Sequence, residues 1–117
     1  MAGIAQKEKY YEVAVSRYYY AIFQKIIFIL MEKYDKFKEP DNGKDSHNEI
    51  KIQFNAYIAE KHSDLDDQYI ADIAQLENLK RLRVFADYKA KVFDETKFES
   101  DFMRRFTPCY EVIERLL

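Results

Sequence analysis

The stretch that decides the fold is Tyr18–Met31, YYYAIFQKIIFILM, in which only Gln24 and Lys25 interrupt an otherwise apolar and aromatic run. A membrane-spanning helix needs about 20 mostly apolar residues, and this run is shorter. It therefore favours a helix that is buried on most of its sides inside a helical bundle. The flanking sequence extends the predicted helix from about Glu8 to Phe37.

Glycine and proline are scarce, with two of each among 117 residues. Sandwiches and barrels need many tight turns and the residues that form them, whereas long helices need neither glycine nor proline. The hydrophobic fraction of 48% and the charged fraction of 34% exclude a disordered chain. We therefore predict a single all-α domain over residues 1–117, built as an up-and-down bundle of four or five helices.

The cysteine and histidine residues indicate in which compartment the protein lies and whether it binds a metal. Cys109 is the only cysteine, so the chain can form no internal disulfide, and no secretory signal pattern is visible at its start. We therefore expect a cytoplasmic protein that does not associate with a membrane. The two histidines, His47 and His62, are 15 residues apart with no cysteine near them, which is not a zinc pattern. No metal or other cofactor is expected, and Cys109 is expected to be a packing residue.

A second helix is predicted to begin at Ser46, after the polar linker 38–45. Ser46 and Glu49 form a capping box, in which the serine side chain and the glutamate side chain each bind a free amide of the first turn. The helix is expected to end near Lys61, and its apolar stripe consists of Ile50, Phe54, Tyr57 and Ile58.

Two more helices complete the predicted bundle. Ser63 and the acidic residues after it suit the start of a third helix that reaches about Lys89. Thr96 and Glu99 form another capping box, before an aromatic stripe that continues to the end of the chain. Pro108 lies within this fourth helix, where we expect a kink.

The net charge of −2 hides an uneven distribution along the chain. Residues 41–75 carry eight acidic and three basic side chains, whereas residues 80–91 carry five basic side chains and only Asp87 as an acid. This pattern partly complements a helix dipole, and it also fits an anion-binding surface. The candidate residues for binding RNA or another polyanion are Lys80, Arg81, Arg83, Lys89 and Lys91.

Three blocks of sequence resemble motifs of the small prokaryotic HEPN-domain proteins. They are Arg17-Tyr-Tyr-Tyr-Ala21 in the first helix, Ser46-His47 at the start of the second, and Arg83-Val-Phe-Ala-Asp87-Tyr88 near the end of the third. The resemblance implies a helical bundle that commonly dimerises. It also implies a role in toxin–antitoxin or phage-defence systems, where family members act as RNases and often pair with a minimal nucleotidyltransferase as antitoxin.

The sequence departs from this family where the catalytic histidine is expected. Active HEPN RNases carry an Arg followed after about four to six residues by a His, whereas Arg83 is followed by Asp87 and Tyr88. An imidazole titrates near pH 6.5, while free aspartate and tyrosine titrate near 4 and 10, so neither is suited to general-base work at neutral pH. Arg83 and Tyr88 are the candidate catalytic residues, and weak or absent cleavage is expected.

Structural roles are the alternatives for the same side chains. A buried Arg17 would need a carboxylate, and Asp87 is the best candidate, which predicts a clamp between the first and third helices. Asp87 also lies four residues after Arg83 and suits a local ion pair. His47 is either a solvent-exposed residue of a first helical turn or part of a functional cleft.

Three functions remain open from the sequence. The first is a metal-independent HEPN endoribonuclease that acts as a homodimer, with Arg83 stabilising the scissile phosphate and Tyr88 or His47 adding polar contacts. The second, which the missing histidine favours, is a homodimeric HEPN module that binds RNA or a nucleotide without chemistry. The third is a helical subunit of a larger assembly, in which the basic helix end docks an acidic protein.

Overall fold

The first helix, α1 (Ala2–Lys33), is the longest element of the computed structural model. The structure describes residues 2–40, 46–88 and 93–117, with side chains from Tyr10 onward in the first range. The helix begins earlier and ends earlier than the sequence predicts. One side of it is buried from Val15 to Leu30, and Val15, Ile22, Ile29 and Leu30 lose all contact with solvent. By length and composition Tyr10–Lys33 could also cross a membrane, and about a third of its most apolar stretch is buried against the rest of the protein.

Helix α2 (Ser46–Lys61) has the bounds that the sequence predicts. Ile50, Phe54 and Tyr57 are buried, which confirms most of the predicted stripe. Gln53 fixes the segment that follows α1, because its side chain accepts a hydrogen bond from the Lys38 amide at 2.9 Å and donates one to the Lys38 carbonyl at 2.7 Å. The remainder of the predicted linker, residues 41–45, lies outside the described residues.

The predicted third helix is two helices, α3 (Asp67–Ala74) and α4 (Leu76–Tyr88). The side chain of Asp66 caps α3 by accepting from the amide of Gln68 at 2.8 Å, so the helix begins after Asp66 and not at Ser63. Gln75 separates the two helices, and its amide donates to the carbonyls of Asp72 and Ile73. Ile73 and Leu76, on either side of this break, are both buried in the core. The two helices have different neighbours, because α3 packs mainly on the last helix of the chain and α4 packs mainly on α1.

The last helical segment begins with Asp94, whose side chain accepts from the Lys97 amide at 2.9 Å. This cap lies two residues before the predicted one at Thr96. A short turn, α5 (Glu95–Lys97), leads into a π-helical stretch over Phe98–Met103 and then into α6 (Arg104–Leu116), which contains Pro108. Because π-helical turns are wider than α-helical ones, the stretch changes which side chains face the core.

Helix α1 is the centre of the bundle and packs against α2, α4 and α6, while α3 packs mainly against α6. In the described part of the chain the segments are α1, α2, α3, α4 and the continuous run from α5 to α6, and there is no strand. The all-α prediction is confirmed. The core combines aliphatic side chains of α1 with aromatic side chains of the other segments, among them Phe54, Phe93 and Phe102, which are fully buried.

Candidate functional site

Tyr19 is the centre of a cluster formed by α1, α2 and α4. Its side chain is 4% exposed, yet the ring contacts polar groups as well as the core. The His47 ring lies roughly parallel to it at 5.7 Å between centroids, and the Tyr19 hydroxyl is 3.4 Å from His47 Nδ1. Arg83 Cζ lies over the same ring, 5.5 Å from its centroid. We call Tyr19, His47 and Arg83 the Tyr19 cluster.

His47 owes its position to the start of α2. It is the second residue of that helix, half-buried, and its ring stacks on Phe23 with 4.3 Å between centroids. Phe23 lies one helical turn after Tyr19 on α1, and their two rings are also stacked, at 6.3 Å. The imidazole therefore packs against two aromatic residues of α1, and it is not a solvent-exposed residue of the first turn.

Arg83 is a half-buried cation that pairs with no carboxylate among the described residues. Its Nε is buried and has no hydrogen-bond partner there. Charged groups in protein interiors are normally paired, because an unpaired one keeps its desolvation cost without compensation. The ring of Tyr19 offsets part of this cost through a cation–π contact. The Arg83 guanidinium can still form charge-assisted hydrogen bonds to an anion.

Two lysines lie beside the cluster. Lys80 lies one turn before Arg83 on α4 and lines a small cleft with Tyr19, Phe23 and His47. Lys51, at the edge of the same cleft, forms an ion pair with Glu77. Hydrogen bonding from Lys51 lowers the pKa of the Glu77 carboxyl, which keeps this pair ionised at neutral pH.

The other predicted basic residues are not part of this arrangement. Arg81 is exposed, and it lies about 100° around α4 from Lys80, so it projects from a different face. Lys89 and Lys91 lie outside the described residues. Of the predicted polyanion-binding set, the structure therefore brings Lys80 and Arg83 to one face of α4.

The predicted clamp between Arg17 and Asp87 is wrong. Both side chains are exposed, and neither forms a hydrogen bond or an ion pair with another described residue. The alternative ion pair between Arg83 and Asp87 is also absent. The prediction assumed that the apolar run of α1 is buried on most sides, whereas Arg17 lies on the side of α1 that faces solvent.

Tyr88, the second candidate catalytic residue, is the last residue of α4 and is 82% exposed. Five residues along a helix correspond to a rotation of about 140°, so Tyr88 and Arg83 project from different faces. Arg83 and His47 thus both contact the Tyr19 ring, whereas Tyr88 projects from another face of α4. A catalytic role for Tyr88 stays a prediction.

Sequence reasoning missed Tyr19 and Phe23 as site residues. Both lie in an apolar run in which every aromatic residue is a reasonable core residue. A usable signal was their spacing of four, which places both rings on one helix face, next to the partner helix that begins with His47.

His62 and Cys109 are not part of the Tyr19 cluster, and each has a contact or an environment of its own. His62 Nε2 is 3.1 Å from the Tyr57 hydroxyl. Burial raises the pKa of the Cys109 thiol to about 12, so the thiol is protonated and unreactive at neutral pH. Among the described residues, no three His, Cys, Asp or Glu side chains form a group that could hold a metal ion.

Comparisons of the chain with protein-family models, with curated proteins and with solved structures find no match.

Proposed function

We propose that this protein binds the phosphate backbone of single-stranded RNA at the Tyr19 cluster, as a HEPN-type module with little or no RNase activity. The observation that carries the proposal is Arg83, a half-buried guanidinium without a carboxylate partner among the described residues. A phosphate supplies the missing negative charge and accepts hydrogen bonds from the guanidinium.

Two further features support an anionic ligand at this place. The cluster lies at the amino-terminal end of α2, a 16-residue helix, where backbone amides and the helix dipole favour negative charge. Lys80 lines the same cleft as His47 and adds a positive charge one turn from Arg83. These groups recognise phosphate and not base sequence, so binding with little sequence preference is expected.

Metal-independent RNA cleavage is a second candidate function, favoured by the contact of His47 and Arg83 with one Tyr19 ring. In that reaction His47 would accept the proton of a ribose 2′-hydroxyl as its oxygen attacks phosphorus. Arg83 would stabilise the phosphate charge, and the 5′-oxygen would leave with a proton from water. The products would be a 2′,3′-cyclic phosphate and a 5′-hydroxyl.

The biological setting that the HEPN resemblance implies, a toxin–antitoxin or phage-defence system with a minimal nucleotidyltransferase as partner, is part of the same proposal. It is supported by the three sequence motifs, each of which contributes one residue of the cluster: Tyr19, His47 and Arg83. An adjacent nucleotidyltransferase gene would strengthen it.

The decisive experiment measures binding of a mixed-sequence single-stranded RNA by fluorescence anisotropy at two salt concentrations. We expect affinity to fall as salt rises, because Lys and Arg contacts release counterions, and we expect Arg83→Ala to weaken binding about tenfold or more. Arg104→Ala is the matched control, because Arg104 is exposed on α6 and is not part of the cluster. Equal affinity of both variants would contradict the proposed site.

Cleavage is measured on the same RNA without divalent metal, with the wild type, His47→Gln and Tyr88→Ala side by side. Weak or absent cleavage by all three agrees with a binding module. Cleavage that His47→Gln abolishes establishes the second candidate, and cleavage that Tyr88→Ala abolishes makes Tyr88 a catalytic residue. Absence of both cleavage and salt-dependent binding would favour a structural subunit.

A further inference from the structure

Helix α1 exposes a row of large apolar side chains on the side that faces away from the bundle. Tyr10 is 64% exposed, Tyr20 55%, Phe28 56% and Met31 63%, while Val13 is 38% exposed. Arg17 and Gln24 lie between them on the same side and are also exposed. We call these seven residues the outer face of α1.

The spacing of these residues makes a continuous strip. They follow one another at intervals of three or four residues, which places them on one side of a helix. At 1.5 Å per residue the strip from Tyr10 to Met31 is about 32 Å long. It is therefore a single surface and not a set of scattered apolar residues.

The exposed area approaches what a stable dimer interface needs. Large side chains have roughly 150–250 Å² of surface each, so the exposed fractions of the five apolar residues and of neighbouring Tyr18 add up to roughly 600 Å². A stable interface buries about 800 Å² per partner, and Arg17 and Gln24 supply much of the difference. A patch of this size is at the upper end of what monomeric proteins expose.

The outer face is also complementary to itself when two copies run antiparallel. A two-fold axis between Tyr20 and Ala21 brings residue pairs whose numbers sum to 41 to the same height along the two helices. Tyr10 then meets Met31 of the second copy, and Val13 meets Phe28. Arg17 meets Gln24, whose side-chain oxygen accepts a hydrogen bond from the guanidinium. Large Tyr20 meets small Ala21.

We propose that the outer face of α1 binds a second copy of this chain, with the two α1 helices antiparallel and the two-fold axis between Tyr20 and Ala21. Because the interface is isologous, each contact occurs twice. This inference does not depend on the RNA proposal, because the Tyr19 cluster lies on the opposite, inward side of α1. It gives the homodimer expected from the HEPN resemblance a specific interface, and it gives the exposed Arg17 a partner.

A membrane surface fits this face less well. Helices that lie on membranes carry their cationic residues at the edges of the apolar face. In α1, Arg17 and Gln24 lie along the middle of the strip, where a bilayer would have to bury both polar groups. A second copy of the chain pairs them with each other.

The first test is the mass in solution by light scattering at micromolar concentration. We expect the wild type to have twice the chain mass of 14.1 kDa. Phe28→Glu is expected to raise the dimer dissociation constant at least tenfold, because two charges enter the apolar interface. Ile52→Glu is the matched control, since Ile52 is 57% exposed on α2, and it should remain dimeric. A monomeric wild type would overturn the proposal.

The second test is disulfide cross-linking, which reports the direction of the helices. Val13→Cys and Phe28→Cys proteins should cross-link when mixed and not when oxidised separately, because Val13 is about 22 Å along the helix from its own copy. Buried Cys109 does not interfere. Cross-linking of Val13→Cys with itself would indicate a parallel dimer and contradict the register.

A third outcome would assign the outer face of α1 to a membrane instead. In that case the wild type is monomeric and binds phosphatidylcholine vesicles, and Phe28→Glu fails to bind them.

Discussion

Arg83 on α4 lies over the ring of Tyr19 on α1, with Cζ 5.5 Å from the ring centroid, while its Nε remains buried and without a hydrogen-bond partner among the described residues. The aromatic ring holds the guanidinium in place and leaves its positive charge uncompensated. A pre-positioned cation of this kind loses less side-chain entropy on binding an anion than a mobile surface lysine does.

The first prediction concerns this contact. Tyr19→Leu should weaken RNA binding severalfold, because the apolar volume is largely kept while the ring that positions Arg83 is lost. Tyr19→Phe should bind RNA nearly as well as the wild type, because it retains the ring and loses only the hydroxyl near His47. Anisotropy titrations of both variants, with circular dichroism to verify folding, measure the difference. Equal weakening by both would assign the effect to the hydroxyl.

The second prediction compares two positions for stability. Asp87→Ala should change the free energy of unfolding by no more than about 0.5 kcal/mol, because Asp87 is exposed and unpaired within the described residues. Phe102→Ala should cost about 3–5 kcal/mol, because Phe102 is fully buried and its ring contacts those of Tyr18, Phe98 and Phe106. Urea denaturation measures both. A large decrease in the free energy of unfolding of Asp87→Ala would show that the Asp87 carboxylate does stabilise the fold.

The third prediction concerns the thiol of Cys109. Burial raises its pKa to about 12, and the thiolate is the form that reacts with alkylating reagents. Iodoacetamide at pH 8 should therefore modify the native protein very slowly and the urea-unfolded protein rapidly. Mass spectrometry of timed samples measures both rates. Fast modification of the native protein would contradict the burial of this side chain.

The fourth prediction is a pH dependence of the Lys51–Glu77 ion pair. The folded state lowers the pKa of Glu77 from its ordinary value of 4.5, so the pair stabilises the fold above that pH, and this contribution is lost as pH falls through the lowered value. Because both side chains are partly exposed, the contribution at pH 7 is about 0.5 kcal/mol or less.

Glu77→Gln should therefore lower the free energy of unfolding at pH 7 and have a smaller effect at pH 2.5. Glu111→Gln is the control, because Glu111 is exposed on α6 and has no ion pair with another described residue. Urea denaturation at the two pH values compares them. Equal effects of Glu77→Gln at both pH values would show that the side chain acts through packing and not through its charge.

The sequence predicts the helices best where local signals agree. The bounds of α2 follow from a polar linker, a capping sequence and an apolar stripe that all indicate the same helix. The break at Gln75 has no such signal, because neither glycine nor proline marks it and both flanking segments favour a helix. Only the packing of α3 on α6 and of α4 on α1 distinguishes the two helices.

The candidate site is predictable in part for a similar reason. His47 and Arg83 are recognisable because polar residues stand out in motifs, whereas Tyr19 is one of many aromatic residues in an apolar run. The prediction that Arg17 is buried is wrong, because a hydrophobic run does not indicate which side of the helix the other helices cover. Its exposed side is apolar as well, and this is the face for which we propose a second copy of the chain.

The break at Gln75 has a dynamic consequence. Because α3 is anchored mainly on α6 and α4 on α1, the two helices can separate from the core in different local unfolding events. Helix α3 has eight residues and contributes one buried residue, Ile73, whereas α4 buries Leu76, Leu79 and Ala86. In hydrogen exchange, the amides of α3 should open at a lower free energy than those of α4, so Arg83 stays in place while α3 detaches.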